Sequence, residues 1–200
     1  MEENRTIAWY EKNASEYCQK TENADMHYAY QRFLEDTFKG AEILDFGCGS
    51  GRDAKYFLTE GMKVSACDGS PAMVAEASQY TGLPVTCMKF QNLHAEDRYD
   101  GIWASASLLH LPYEQLNDVF AKMMKAIHKE GIIYMSFRYG TFEGYREDRW
   151  YTDLDINKAA ELILPHRDAL LLECWKSHDS LNRDLLWLNL IVRKVTPHDH

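Results

Sequence analysis

Glu42-Ile43-Leu44-Asp45-Phe46-Gly47-Cys48-Gly49-Ser50-Gly51-Arg52-Asp53 is the stretch that decides the fold. Ile43, Leu44 and Phe46 form a short apolar run, long enough for one buried strand. Gly47, Gly49 and Gly51 follow at alternate positions, and Arg52 opens a helical pattern that reaches Glu60 and stops at Gly61. Strand, glycine turn and helix together present a nucleotide-type pocket at the carboxyl edge of an α/β sheet. Glycine adopts backbone angles that other residues resist and lets a ligand lie against the main chain. The spacing is G-x-G-x-G, not G-x-G-x-x-G, and Asp45 stands inside the strand end. A carboxylate there does nothing for a phosphate. It suits a ligand that carries an ammonium group.

Working outward, Met62 to Cys67 reads as the second strand, closed by Asp68, 23 residues after Asp45. An acid at that strand end is placed to accept from the two ribose hydroxyls of an adenosine. With these residues in view, Leu44 to Gly51, then Asp68-Gly69-Ser70-Pro71-Ala72-Met73, then Tyr99 to Pro112 resemble the class I S-adenosylmethionine-dependent methyltransferases in order and spacing. The likeness runs from about residue 30 to about residue 195. Within that family the chain is similar to small stand-alone bacterial enzymes, the tellurite-resistance type among them.

The resemblance implies an α/β fold: a doubly wound, Rossmann-like, seven-stranded and mostly parallel sheet with helices on both faces and the last strand antiparallel. It implies S-adenosyl-L-methionine as methyl donor and S-adenosyl-L-homocysteine as product. By the same likeness, Gly47, Cys48 and Gly49 meet the methionine half and ribose, and Asp45 receives the ammonium group, directly or through water. Asp68 and Gly69 take the ribose, while Ser70 and Met73 flank the adenine. Where the family often carries an acid reading the adenine amino group, this chain has Gln91, Asn92 and Leu93. A carboxamide oxygen of Asn92 or of Gln91 can accept that N–H. Ala104 and Ser105 end the fourth strand, close to the sulfonium.

Two hundred residues suit one domain, here with residues 1–39 as a helical lid segment and 40–195 as the sheet core. A hydrophobic share of 46% with 26% charged residues is ordinary for a globular chain. No apolar run approaches the ~20 residues of a membrane span, and the acidic start Met1-Glu2-Glu3 lacks a signal core. Cys18, Cys48, Cys67, Cys87 and Cys174 form no C-x-x-C and are expected as free thiols in a reducing cytoplasm. A net charge of −9 argues against a broad nucleic-acid surface. His27, His94, His128, His166 and His178 make no metal-ligand spacing, and His198 and His200 fall in a terminal tail expected to be disordered. No metal is expected, and the chain is expected as a monomer or weak homodimer.

The N-terminal part reads as two helices broken near Thr21-Glu22-Asn23. Tyr30, Phe33, Leu34 and Phe38 recur at helical spacing, so Phe33 and Phe38 are expected in the core. Tyr10 and Tyr17, seven apart, share one helix face and are candidates for a lid over the acceptor. Further on, strands are expected over 83–88, 99–104 and 132–137, a helix over 112–128, a turn at 129–131 and a polar loop over 138–150. A helix over 155–164 and a hairpin of 170–176 with 185–195, joined by 177–184, complete the chain. His110, just past the fourth strand, is a candidate general base near neutral pH, or else a group that orients its loop or the substrate. Arg138, with Tyr139, Arg146 and Arg149, is placed either to bind an anionic acceptor or to form a solvated loop balanced by Glu143, Glu147 and Asp148.

The reading is a single-domain cytoplasmic methyltransferase acting on a small molecule, with no membrane and no nucleic-acid partner. A sulfonium methyl is already activated, so in-line displacement needs mainly positioning and exclusion of water. The rival enzyme reading is a methyltransferase for nucleic acid or protein. Base-amine enzymes of the superfamily carry an (Asp/Asn)-Pro-Pro-aromatic run where this chain has Ser105-Ala106-Ser107. The other rival is a cofactor-binding protein without catalysis. A nicotinamide dehydrogenase is disfavoured by the glycine spacing.

Overall fold

The computed structural model describes residues 4–181 and 183–196. His198 and His200 lie outside the described residues, as does position 182 in the expected hairpin joint. Two helices come first, α1 (Arg5–Thr21) and α2 (His27–Leu34). Strands and helices then alternate: β1 (Glu42–Phe46), α3 (Arg52–Thr59), β2 (Lys63–Asp68), α4 (Pro71–Thr81), β3 (Thr86–Cys87), β4 (Tyr99–Ala104), α5 (Tyr113–Ala126) and β5 (Ile127–Arg138). A hairpin of β6 (Glu143–Arg146) and β7 (Arg149–Thr152), then α6 (Ile156–Ile163), β8 (Ala169–His178) and β9 (Leu186–Lys194) follow.

One seven-stranded sheet has the order β3-β2-β1-β4-β5-β9-β8. The pairs from β3 to β5 are parallel, and β9 runs antiparallel to both its neighbours. The order reverses between β1 and β4, so the crevice of the sheet opens at their carboxyl ends. Alternation along the strands makes two cores. Leu44, Phe46, Ile102, Ile133 and Met135 face α5 and α6, while Ile43, Trp103, Ile132 and Tyr134 face Phe33 of α2 and Phe57 of α3.

Five expectations need correction. The helix expected to His128 ends at Ala126, because Ile127 already pairs with Tyr99 at the foot of β5. The turn at 129–131 is absorbed into that strand as an irregularity, with Glu130 at a φ of 65°. The loop expected over 138–150 contains all of β6 and the first half of β7, turning at Glu147 with a φ of 54°. Its strands bury no continuous apolar stripe; Tyr145 and Trp150 pack edge to face across it at 5.1 Å, so no clean alternation marks it in sequence. Phe38 lies beyond α2 and is 62% exposed, whereas Phe33 is fully buried. The expected third strand shrinks to Thr86–Cys87.

Candidate active site

The turn after β1 is tied to β2. The N–H groups of Gly47 and Cys48 both donate to the Cys67 carbonyl at 2.9 Å. Gly47 has a φ of +83°, and a Cβ there would stand 2.6 Å from Ser107 Cβ and 2.9 Å from the Phe90 ring. Gly49, at φ +54°, is roomier: its nearest would-be neighbours are Met73 Cε at 3.7 Å and Tyr17 Cε1 at 3.8 Å. Its N–H donates to Asp68 Oδ2 at 3.0 Å, and the Ser70 N–H donates to Oδ1 at 2.9 Å. Each carboxylate oxygen keeps a lone pair for a ligand hydroxyl. Burial raises the Asp68 carboxyl above its ordinary range, against the pull of these N–H groups.

The loops after β1, β2, β3, β4 and β5 enclose a cavity of about 780 Å³. Helix α1 lies over it and is fastened on both sides. On one side Glu11 accepts from the Ser70 hydroxyl and from the Ala72 N–H at the start of α4. On the other, Thr6 Oγ1 accepts from the Trp150 N–H at 2.9 Å, and Arg5 pairs with Asp148 at 2.8 Å. Tyr10 and Tyr17 both point into the cavity wall, their rings edge to face at 5.1 Å. Burial raises both phenols above their ordinary range.

His110 ends a 3-10 turn, Leu108–His110, beyond β4. Its Nδ1 lies 2.7 Å from the Trp150 carbonyl and must donate to it. Nε2 is therefore the acceptor in the neutral ring, and the Tyr10 hydroxyl donates to it over 2.9 Å. Burial, together with the nearby charges of Arg149 and Arg138, lowers the imidazole to a pKa of about 4. At neutral pH the ring is uncharged with its lone pair engaged, an orienting arrangement more than a free base.

A second polar group lies below the glycine turn. Asp53 accepts from the Tyr30 hydroxyl, from Trp103 Nε1 at 2.8 Å and from Arg52 Nε at 2.6 Å. Burial alone would raise this carboxyl; Arg52 and the donors reverse that and hold it below its ordinary range. Arg52 also donates to the Thr21 carbonyl at 3.2 Å, joining the end of α1 to the turn. Asp45, 2% exposed, has one carboxylate oxygen with no partner among the described residues. Burial and the charge of Asp53 raise its carboxyl well above the ordinary range.

The cavity wall contains Tyr10, Tyr17, Gly47, Cys48, Gly49, Asp68, Gly69, Ser70, Met73, Gln91, Asn92, Ser105, His110 and Arg138. Asp45, Leu93 and Ala104 stand behind it. The side chains of Leu93 and Ala104 pack into the core, which leaves only their main chain to meet a ligand. Gln91 has its amide bound to Gln115 at 2.8 Å, whereas Asn92 is exposed at the cavity edge. Sequence reasoning missed Arg52 and Asp53, although the Arg-Asp pair directly after the turn was a signal. It also missed Asp179, which anchors Arg183 and Trp187 beside the cavity from beyond β8. No local pattern marks that residue.

Residues 43–131 match the family model described as methyltransferase domain. An uncharacterized methyltransferase of Staphylococcus carnosus (strain TM300) is 24% identical over 155 residues, covering 76% of this chain and 75% of that protein. Among solved structures, the 1,6-didemethyltoxoflavin-N1-methyltransferase of Burkholderia thailandensis superposes with a TM-score of 0.78 at 22% identity, over 95% of this chain and 87% of that one. The cyclase SpnF superposes with a TM-score of 0.76 at 15% identity, over 96% of each chain. The superpositions establish the fold, and the stretch that matches the methyltransferase-domain model contains the glycine turn and the strand ends that line the cavity.

Proposed function

We propose that the chain is a cytoplasmic enzyme that moves the methyl group of S-adenosylmethionine to a small-molecule acceptor, working as one domain with residues 4–39 as lid. The observation that carries this reading is the roof: α1 is fastened to α4 on one side of the cavity and to the β6–β7 hairpin on the other. A site closed in this way suits an acceptor that enters whole, not a base or side chain still attached to a polymer. The free state of the described cysteines and the net charge of −9 agree with it. The Burkholderia thailandensis neighbour, solved with 1,6-didemethyltoxoflavin and S-adenosylhomocysteine bound, points the same way.

The residues present fit the donor. Asp68 would take the ribose hydroxyls on its free lone pairs, and Gly49 leaves main chain open to the ligand where a side chain would intrude. The unpartnered oxygen of Asp45 is what an ammonium group would satisfy through a bridging water. Asn92, with its amide uncommitted to Gln115, is the better candidate for the adenine edge, and Ser70 and Met73 would flank the ring. The bound donor supplies an activated methyl group. The chain supplies alignment and dryness: Tyr10, held by His110, and Tyr17 close the space above the donor.

The test is a metabolite panel read by release of S-adenosylhomocysteine. Turnover with at least one small acceptor, and none with tRNA or double-stranded DNA, is expected. Donor binding with no turnover across the panel would favour the non-catalytic binding reading.

A further inference from the structure

Four arginines gather on the side of β5 and the hairpin, in two pairs; Arg138, Arg149 and Arg183 line the cavity, and Arg146 lies 5.2 Å from the centre of the Tyr151 ring. Arg146 is matched by Asp153, at 2.8 and 2.5 Å, and Arg183 by Asp179, at 2.8 and 2.6 Å. Arg138 and Arg149 have no such match. Each has a buried Nε with no hydrogen-bond partner among the described residues. Both line the cavity, and both are held by aromatic faces instead of carboxylates. Arg138 lies 4.1 Å from the centre of the Tyr151 ring; Arg149 lies 3.9 Å from Trp9 and 5.4 Å from Tyr151.

An unpaired, partly desolvated guanidinium is costly for a fold, and two of them facing one space repel each other. Carboxylates were within the chain's means here, since Asp153 and Asp179 serve the two arginines beside them. Stacking on Tyr151 and Trp9 fixes the planes of the forks while leaving their edges to a ligand. Arg149 also lies 5.9 Å from the centre of the Tyr10 ring, which places it beside the Tyr10–His110 pair.

We propose that Arg138 and Arg149 form an oxyanion site for the methyl acceptor, so that the acceptor carries a carboxylate or a phosphate group. The proposal rests on the methyltransferase reading only in calling that ligand the acceptor. Two planar forks around one aromatic ring suit a compact anion on a flat molecule. The anion would supply the charge that both arginines lack. It would also fix the distance from the arginine pair to the donor, and so choose which atom of the acceptor meets the methyl group.

Calorimetry with benzoate, phenyl phosphate and the neutral benzamide, on the full chain with and without S-adenosylhomocysteine, tests this. At least one anion should bind about tenfold or more tighter than benzamide, as expected for a charge-assisted contact. The tighter of the two names the group. Arg138→Met and Arg149→Met should each remove the preference while S-adenosylhomocysteine affinity stays within about twofold of the parent. Arg138→Met should also melt at the same temperature as the ligand-free parent or higher, which a purely structural arginine would not do. Equal binding of benzamide, failure of both anions to bind, or a preference that survives the substitutions overturns the proposal. So does a loss of S-adenosylhomocysteine affinity with the preference intact, because the anion would then be the donor's own carboxylate. If the anions bind as stated but S-adenosylhomocysteine does not, the oxyanion site stands and the methyltransferase reading falls.

Discussion

The Tyr10 hydroxyl donates to Nε2 of His110 over 2.9 Å, joining the roof helix to the turn beyond β4 across 100 residues of sequence. The carbonyl of Trp150 fixes the tautomer from the other side of the ring. Tyr10→Phe should strand the Nε2 acceptor and His110→Phe the phenol, each costing ~1–3 kcal/mol of stability. The double variant should cost clearly less than the sum, with a coupling of ~1 kcal/mol or more. Denaturant melts of the four proteins measure it; additive losses would mean the bond contributes nothing.

Stability should depend on pH through His110. Its folded pKa of about 4 lies below the ordinary 6.5, so the unfolded chain binds the extra proton first. Its contribution is complete above about pH 6.5 and is lost as pH falls toward about 4, by at most ~3 kcal/mol. His110→Phe should flatten the parent's fall in melting temperature across that window. An unchanged profile would show that the ring titrates normally.

Gly47→Ala and Gly49→Ala should separate packing from binding. At Gly47 a methyl group would meet Ser107 at 2.6 Å with φ at +83°, so a stability loss of ~2 kcal/mol or more is expected. At Gly49 the methyl group has no neighbour nearer than 3.7 Å, so the stability loss should stay near ~1 kcal/mol while donor affinity falls. Thermal melts paired with S-adenosylhomocysteine titrations would sink the distinction if both variants behaved alike.

Asp68→Ala should lower donor affinity by at least ~100-fold, from lost charged hydrogen bonds of ~1.5–3 kcal/mol each. It should also destabilise the free protein, because Gly49 and Ser70 lose the acceptor of their N–H groups. Calorimetry on the folded variant decides; an affinity within a few-fold of the parent removes Asp68 from the site.

A chain beginning at Asp25 tests the roof. Of α1 only Thr6 and Ala14 are buried as whole residues, with Tyr10 and Tyr17 half-buried against the cavity, so the sheet should still fold, with a lower melting temperature. Donor binding should weaken modestly and methyl transfer should fall much further. Turnover at the parent rate would reduce α1 to packing.

The sequence by itself determined the sheet and the glycine-turn end of the cavity. Those features are local: the apolar run Ile43 to Phe46, the glycines after it, the acid closing β2, and Ser70-Pro71 opening α4 all have their causes within a few residues. The hairpin of Glu143 to Thr152 was illegible, because aromatic and arginine side chains hold it and no buried alternation does. The burial of the Leu93 and Ala104 side chains was not legible either, because local periodicity does not show which face of a segment meets solvent. Only the tertiary structure decided the opposite end of the cavity. It brought Tyr10 to His110, gave Arg146 and Arg183 their carboxylates, and left Arg138 and Arg149 without any. Charge pairing depends on distances between segments far apart in the chain, and no spacing along a sequence encodes those.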